Sequence, residues 1–200
     1  KPELGGADAE RTQARQRFER EAHVTASLRS PHTVELYDFG LSAEGAFYYV
    51  MELLDGIDLE TAVTRYGPMP PERVVFILRQ VCESLEEAHA AGLVHRDIKP
   101  ANVFLCRYGL KHDFVKVLDF GLVGLGPQRD RMDAKLTADG VFAGTPAYLA
   151  PEAVSGSDPV DARSDVYAVG CVAYWLLTGH APFERETSMA TILAHVNDPP

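Results

Sequence analysis

Apolar positions recur at two different periods along this chain of 200 residues, and the changes of period divide it into elements. Asp8 to Leu28 is densely charged and holds neither glycine nor proline, which predicts an exposed helix that Pro31 stops. Val34 to Phe39 and Phe47 to Leu53 are rich in aromatic and branched residues and read as strands, joined by a turn at Glu44-Gly45. Pro70-Pro71 opens a second helix, in which Val74, Leu78, Val81, Leu85 and Ala88 recur at helical spacing before Gly92 ends it. Val103 to Cys106 and Val115 to Leu118 read as short strands around a loop containing Gly109. Asp165 stands in the first turn of a helix that is apolar on nearly all sides through Leu177, the pattern of a buried helix, and Gly179 and Pro182 terminate it. A short helix, Ser188 to Val196, follows. The order predicts an α+β fold in which a small mixed segment precedes a helix-rich one.

Composition narrows the functions. The formal net charge of -10 argues against nucleic acid and anionic membrane as main partners. Cys82, Cys106 and Cys171 are far apart, odd in number and without C-x-x-C spacing, so neither a disulfide framework nor a zinc site is indicated. A reducing cytoplasm is the expected setting. The longest apolar run, Val166 to Leu177, is too short to span a bilayer, so membrane attachment is expected only through segments outside this sequence.

The candidate chemistry is concentrated in Val94 to Val103, which packs Asp97, Lys99 and Asn102 into one run. Asp119-Phe120-Gly121 begins seventeen positions after Asn102, and Ala150-Pro151-Glu152 comes later. Each piece alone has an ordinary structural reading: Asp97 as a turn residue, Asn102 as an Asx-turn, Asp119-Phe120-Gly121 as a strand exit. In this order and spacing, with short strands between the first two, the set resembles the catalytic core of the eukaryotic-type (Hanks-type) serine/threonine protein kinases, in a bacterial-like form. The resemblance implies a two-lobed kinase fold, with residues 1–54 as part of the N-terminal lobe to the hinge and residues 55–200 as part of the C-terminal lobe.

It also implies phosphoryl transfer from ATP to protein serine and threonine hydroxyls. That chemistry needs positioning and charge neutralisation more than covalent help. Asp97 would orient the acceptor hydroxyl and take its proton. Lys99 would offset charge on the transferred group. Asn102 and Asp119 would supply oxygen ligands to Mg2+, or to Mn2+ in its place. Glu21 would be the helix carboxylate that pairs with a phosphate-binding lysine; the alternative is a solvated Glu on a charged helix. Tyr49 to Gly56 resembles a kinase hinge, with Met51 as gatekeeper and the Glu52 carbonyl and Leu54 amide and carbonyl facing adenine. Asp58 would reach the ribose or serve as an N-terminal helix acid. Phe104 would lie under the adenine ring. His95 reads as a structural histidine near Phe120, and Asp165 as an acceptor for backbone N–H groups of the Val94–Val103 loop.

Lys99, two residues after Asp97, and Gly144-Thr145-Pro146-Ala147-Tyr148 match the serine/threonine class, in which Thr145 would bond Asp97 and Lys99. Arg96 before Asp97 marks family members switched by phosphorylation between Asp119 and Glu152. The only threonines from Leu122 to Glu152 are Thr137 and Thr145, with no serine, which leaves Thr137 as the expected phosphosite. Self-association for autophosphorylation is implied as well.

The departures from the family pattern are equally specific. No G-x-G-x-x-G loop and no V-A-I-K strand precede Glu21, and the family's last helices, with the arginine that pairs with Glu152, do not follow Val196. The expectation is an incomplete catalytic domain, inactive by itself, whose parent is the enzyme. The competing functional class is a pseudokinase-like module that binds nucleotide or partner without transfer. A purely structural α+β domain leaves the clustered polar residues unexplained.

Overall fold

A computed structural model describes residues 4–43, 46–120, 146–155 and 160–200. The first helix, α1, runs from Leu4 to Ser27. Strands β1 (Leu36–Leu41) and β2 (Phe47–Met51) form an antiparallel pair beside it, with Phe39 opposite Tyr49 and Leu36 opposite Met51. The expected turn at Glu44-Gly45 lies outside the described residues.

The structure corrects the reading of α1 as exposed. Phe18, Ala22 and Thr25 are buried, and their spacing of four and three residues puts them on one face. The Phe18 ring stacks on Phe47 at 4.1 Å, meets Phe39 edge-on at 6.0 Å and lies 4.9 Å from Tyr49. Phe47 and Tyr49 are two apart in β2, so the strand presents both rings to the same side. One aromatic at the right position docks a helix whose sequence is otherwise too polar to show a core-facing stripe.

The larger part of the chain is built on a second sheet, of order β3-β4-β5, from β3 (Gly56–Asp58), β4 (Val103–Tyr108) and β5 (Lys111–Val117). Both long strands extend past the expected limits, because Tyr108 stacks on Phe114 at 4.7 Å and Gly109 turns the hairpin at φ 61°. The short strand β3 went unrecognised in the sequence. It depends on Gly56, where a Cβ would collide with the Leu105 carbonyl.

Helix α2 (Leu59–Tyr66) starts at Asp58, whose carboxylate accepts from the Thr61 N–H at 2.7 Å and the Thr61 hydroxyl at 2.6 Å. Helix α3 (Pro71–Ala90) buries Val74, Ile77, Val81, Leu85 and Ala88, with Leu78 only half-buried at the edge of the stripe. Gln80 fixes the hairpin to α3: its amide donates to the Asp113 carbonyl at 3.0 Å, and its carbonyl accepts from the Val115 N–H at 3.1 Å. Leucines, valines and Phe120 from all these elements close one core.

Helices α4 (Pro151–Ser155), α5 (Ala162–Thr178) and α6 (Ser188–Asn197) complete the body. Asp161 caps the start of α5, and Gly179 ends it at φ 79°. Only one side of α5 is buried: Ala168, Cys171, Val172 and Leu176 face inward, whereas Val166, Tyr174 and Leu177 are exposed. A nearly all-apolar helix was expected to be enclosed; here its inner face packs against α3 and its outer face does not join the core. Among the described residues no helix is long and apolar enough to cross a membrane.

The fold places much weight on Phe18. Phe18→Ala is expected to lower unfolding free energy by about 3 kcal/mol, the usual cost of emptying an aromatic site. Urea unfolding of the variant and the wild type measures this, and a loss under about 1 kcal/mol would show that α1 is held elsewhere.

Candidate active site

The loop between α3 and β4 carries the candidate residues. Gly92 turns the chain out of α3 at φ 75°, and the Leu93 N–H returns to the Ala88 carbonyl at 2.8 Å. His95 is fully buried, with its ring 4.6 Å from Phe120. Its Nε2 lies 2.7 Å from the Leu118 carbonyl, and Nδ1 accepts from the Asp97 N–H at 3.3 Å. These partners require the Nε2–H tautomer. Burial holds the imidazole below its ordinary pKa, against the opposing influence of Asp165 and the Leu118 carbonyl.

Asp165, almost fully buried in the first turn of α5, accepts from the His95 N–H at 2.8 Å and the Arg96 N–H at 2.7 Å. His89 approaches the same carboxylate at 2.7 Å, a partner that the sequence offered no reason to single out. Arg96 sits at φ 66° and Asp119 at φ 60°, the left-handed region that non-glycine residues seldom occupy. Strain of this kind gathers where surrounding bonds fix a backbone for use. The Arg96 side chain is exposed.

Asp97, Lys99 and Asn102 form one network. Asp97 Oδ2 accepts from Lys99 Nζ at 2.8 Å and from Asn102 Nδ2 at 3.1 Å. Asn102 Nδ2 also reaches the Asp97 carbonyl at 2.8 Å. Both donor contacts fall on the same carboxylate oxygen, so Oδ1 has no hydrogen-bond partner among the described residues. The Asn102 amide oxygen is likewise left available.

Asn102 ends a 3-10 turn, Pro100–Asn102, and its backbone carbonyl accepts from the Leu118 N–H at 2.9 Å. That bond brings the residue before Asp119 against the loop. Burial raises the Asp119 pKa, and the charge of Asp97 raises it further, while His95 and Lys99 act in the opposite direction. A desolvated carboxylate beside another carboxylate favours a cation. Two hard oxygen donors, an amide and a carboxylate, suit Mg2+, which completes its shell with water and phosphate.

Glu21 and Tyr49 extend this neighbourhood. Burial, then Glu21, then Asp119 raise the Tyr49 phenol pKa, so α1, β2 and the Asp119 strand exit share one electrostatic environment. Glu52 has a role that its motif did not reveal. Its carboxylate takes the Glu35 N–H at 2.8 Å and the buried Lys116 ammonium at 2.5 Å, while its own N–H donates to the Glu35 carbonyl at 3.0 Å. The segment from Met51 to Leu54 is therefore tied to β5 through Lys116. Met51 and Leu54 are half-buried. Asp58 lies opposite Phe104 in the β3–β4 pairing, and its carboxylate is already engaged at the start of α2. Gly121, Thr137 and Thr145 fall outside the described residues. Glu152 accepts from the Ser164 hydroxyl at 2.5 Å.

The protein kinase domain model matches residues 6–198, and the chain belongs to that family. The serine/threonine-protein kinase pkn3 of Myxococcus xanthus is 41% identical over 191 residues, covering 96% of this chain and 34% of that protein. The chain thus spans about a third of that relative. The structure is similar to the PknI kinase domain of Mycobacterium tuberculosis, with TM-score 0.67 and 32% identity over 86% of this chain and 59% of the other. It is also similar to Rad53 crystallised with AMP-PNP, with TM-score 0.69 and 30% identity over 88% of this chain and 41% of the other. The two-lobed kinase fold and the bacterial serine/threonine-kinase kinship expected from the sequence are thereby established.

The buried, neutral His95 generates a pH prediction. Its folded pKa lies below the ordinary 6.5, so the unfolded chain takes up a proton that the folded chain refuses. Its share of stability is complete above that value and is lost as pH falls toward the depressed folded pKa. Urea unfolding between pH 5 and about 7.5 should show this decline, and His95→Gln should flatten part of it. An unchanged slope would assign the decline to other groups.

Proposed function

We propose that the parent protein of this chain is a serine/threonine protein kinase, with Asp97 as the group that orients the acceptor hydroxyl and takes its proton. The observation that carries the reading is the one-sided Asp97 network: Lys99 and Asn102 occupy Oδ2, and Oδ1 has no hydrogen-bond partner among the described residues. A carboxylate fixed at one oxygen and open at the other is pre-aimed, which is what in-line transfer requires of the protein. Lys99 stands 2.8 Å from the Asp97 carboxylate, where it would stabilise the transferred group.

Asn102 and Asp119 would hold Mg2+, which when bound neutralises phosphate charge and orients the nucleotide. ATP would lie between the Met51–Leu54 hinge and Phe104, with the Glu52 carbonyl and Leu54 backbone toward adenine. The Glu52–Lys116 pair keeps the hinge at a fixed distance from β5. Asp58 is a helix cap first, and any contact with ribose would share a carboxylate that Thr61 already occupies. Glu21 is the α1 carboxylate nearest this reading, supported by its electrostatic coupling to Tyr49 beside Asp119. Substrates are proteins bearing serine or threonine hydroxyls.

In the full-length protein, Asp97→Asn should reduce phosphoryl transfer by about 10²–10⁴-fold, the range for loss of a general base, with nucleotide affinity nearly unchanged. Radiolabel transfer and nucleotide titration measure the two separately. Turnover within tenfold of wild type would remove Asp97 from its role, and nucleotide binding by a wild type that transfers nothing would favour a binding module.

Asp119→Asn should weaken Mg2+-nucleotide binding as well as transfer. Because burial raises the Asp119 pKa, protons compete with the metal as pH falls, so wild-type Mg2+-nucleotide affinity should decline toward acid pH. The Asn variant should lose that part of the pH dependence. Parallel titrations at pH 5 and about 7.5 decide it, and equal slopes in the two proteins would contradict the assignment.

A further inference from the structure

Lys116 is the only lysine among the described residues that the fold buries; it is 8% exposed. It stands on β5 directly opposite Phe104 of β4, and Phe104 stands opposite Asp58 of β3. Residues directly opposite one another in antiparallel strands share a face, so Asp58, Phe104 and Lys116 form one row across the sheet. From the end of that row the ammonium reaches out to other segments. It donates to the Glu52 carboxylate at 2.5 Å and to the Thr33 carbonyl at 3.3 Å. Glu52 is itself held to Glu35 twice, through its carboxylate at 2.8 Å and through its own N–H at 3.0 Å. Next to Lys116, the Val117 N–H donates to the His32 carbonyl at 2.8 Å, and the Val117 carbonyl accepts from the Val34 N–H at 3.0 Å.

Packing alone does not account for this junction. A buried ammonium gives up its hydration, and here a carboxylate and a carbonyl replace part of it. Exchanging such a pair for apolar side chains is often neutral for stability, so the stability of the fold does not call for it. What the pair does fix is a position. It sets where the backbone leaving β2 stands relative to the row Asp58–Phe104–Lys116. Without it, among the bonds of the described residues, Glu52 would reach that sheet only indirectly, through Glu35 and residues 32–34.

We propose that Lys116 is a positioning residue for the adenine base, setting the gap between the Phe104 row and the Glu52–Leu54 backbone. This rests on the nucleotide reading above, in which Phe104 lies under the ring and the Glu52 carbonyl and Leu54 backbone meet its edge. The face and the edge of the base are then addressed by two separate segments. Lys116 is in register with the first and bonded to the second. The candidate phosphate and acceptor groups lie elsewhere, on the Asp97–Asn102 loop and at Asp119. The effect of Lys116 should therefore fall on the base and leave the peptide acceptor unaffected.

The test uses the full-length protein and titration calorimetry with two ligands, Mg2+-ATP and adenosine, which shares the base and lacks the phosphates. Lys116→Met keeps the length of the side chain and removes the ammonium. It should weaken both ligands by the same factor, about tenfold, the lower end of what one hydrogen bond to a charged group is worth. The KM of a threonine peptide should stay within about twofold. Because Lys116→Met leaves the Glu52 carboxylate unpaired and can unfold the protein, a double variant, Glu52→Gln with Lys116→Met, removes both charges. The double variant should fold and should bind adenosine and ATP as weakly as the single one. Affinity for both ligands that is within about twofold of wild type, or tighter, in the folded double variant would make the pair structural and overturn the proposal. A loss of ATP affinity with adenosine unchanged would also overturn it, by placing the effect at Asp119 and the phosphates. A wild type that binds neither adenosine nor ATP overturns the nucleotide reading itself, a result distinct from altered affinity in a variant.

Discussion

The carboxylate of Asp165 is the interaction on which the candidate site depends. It is buried at the start of α5, where the helix dipole favours negative charge, and it gathers two backbone N–H groups and the His89 ring. Those bonds compensate the loss of hydration that an isolated buried carboxylate could not sustain. In return they hold Arg96 in a left-handed conformation that the residue would not choose. Asp97 follows directly, so its direction is inherited from the helix that carries Asp165.

From this tether the remaining contacts form a chain. His95 spans from the Asp97 N–H to the Leu118 carbonyl, and Asn102 spans from Asp97 to the Leu118 N–H. The loop and the strand exit at Asp119 are therefore joined at two points, one on each side of Leu118. The site is an arrangement of backbone held by buried side chains, with few functional groups left over. Among the described residues, the side-chain oxygens left there without a hydrogen-bond partner are Asp97 Oδ1, the Asn102 amide oxygen and the Asp119 carboxylate.

Charge is distributed to the same end. Lys99 is paired with Asp97, and Lys116 with Glu52 just after β2. Asp119 is left in a desolvated setting that disfavours its own ionisation. Between α5 and α6 lies a second buried imidazole, His195, with Nδ1 bonded to the Tyr167 hydroxyl and Nε2 without a hydrogen-bond partner among the described residues.

Much of this was legible in the sequence. The stripe of α3, the glycine stops at Gly92 and Gly179, and the two strands flanking Gly109 follow from local periodicity and turn chemistry, which act over a few residues. The spacing of Asp97, Lys99, Asn102 and Asp119 carried the family, because that order of residues is a pattern the eye can find without a structure. Other features depended on contacts between distant segments. Phe18 buries α1 only because Phe39, Phe47 and Tyr49 come from a separate hairpin, and β3 exists only because Gly56 admits the Leu105 carbonyl. The partnerships Glu52–Lys116, His89–Asp165 and Tyr167–His195 join residues 64, 76 and 28 positions apart. The sequence by itself determined which family motifs were present and which segments were helical, since both are set by residue type and short-range spacing. Only the tertiary structure decided which oxygen of Asp97 takes the Lys99 and Asn102 bonds and which histidines are buried, because burial and hydrogen-bond partners are properties of packed, distant neighbours.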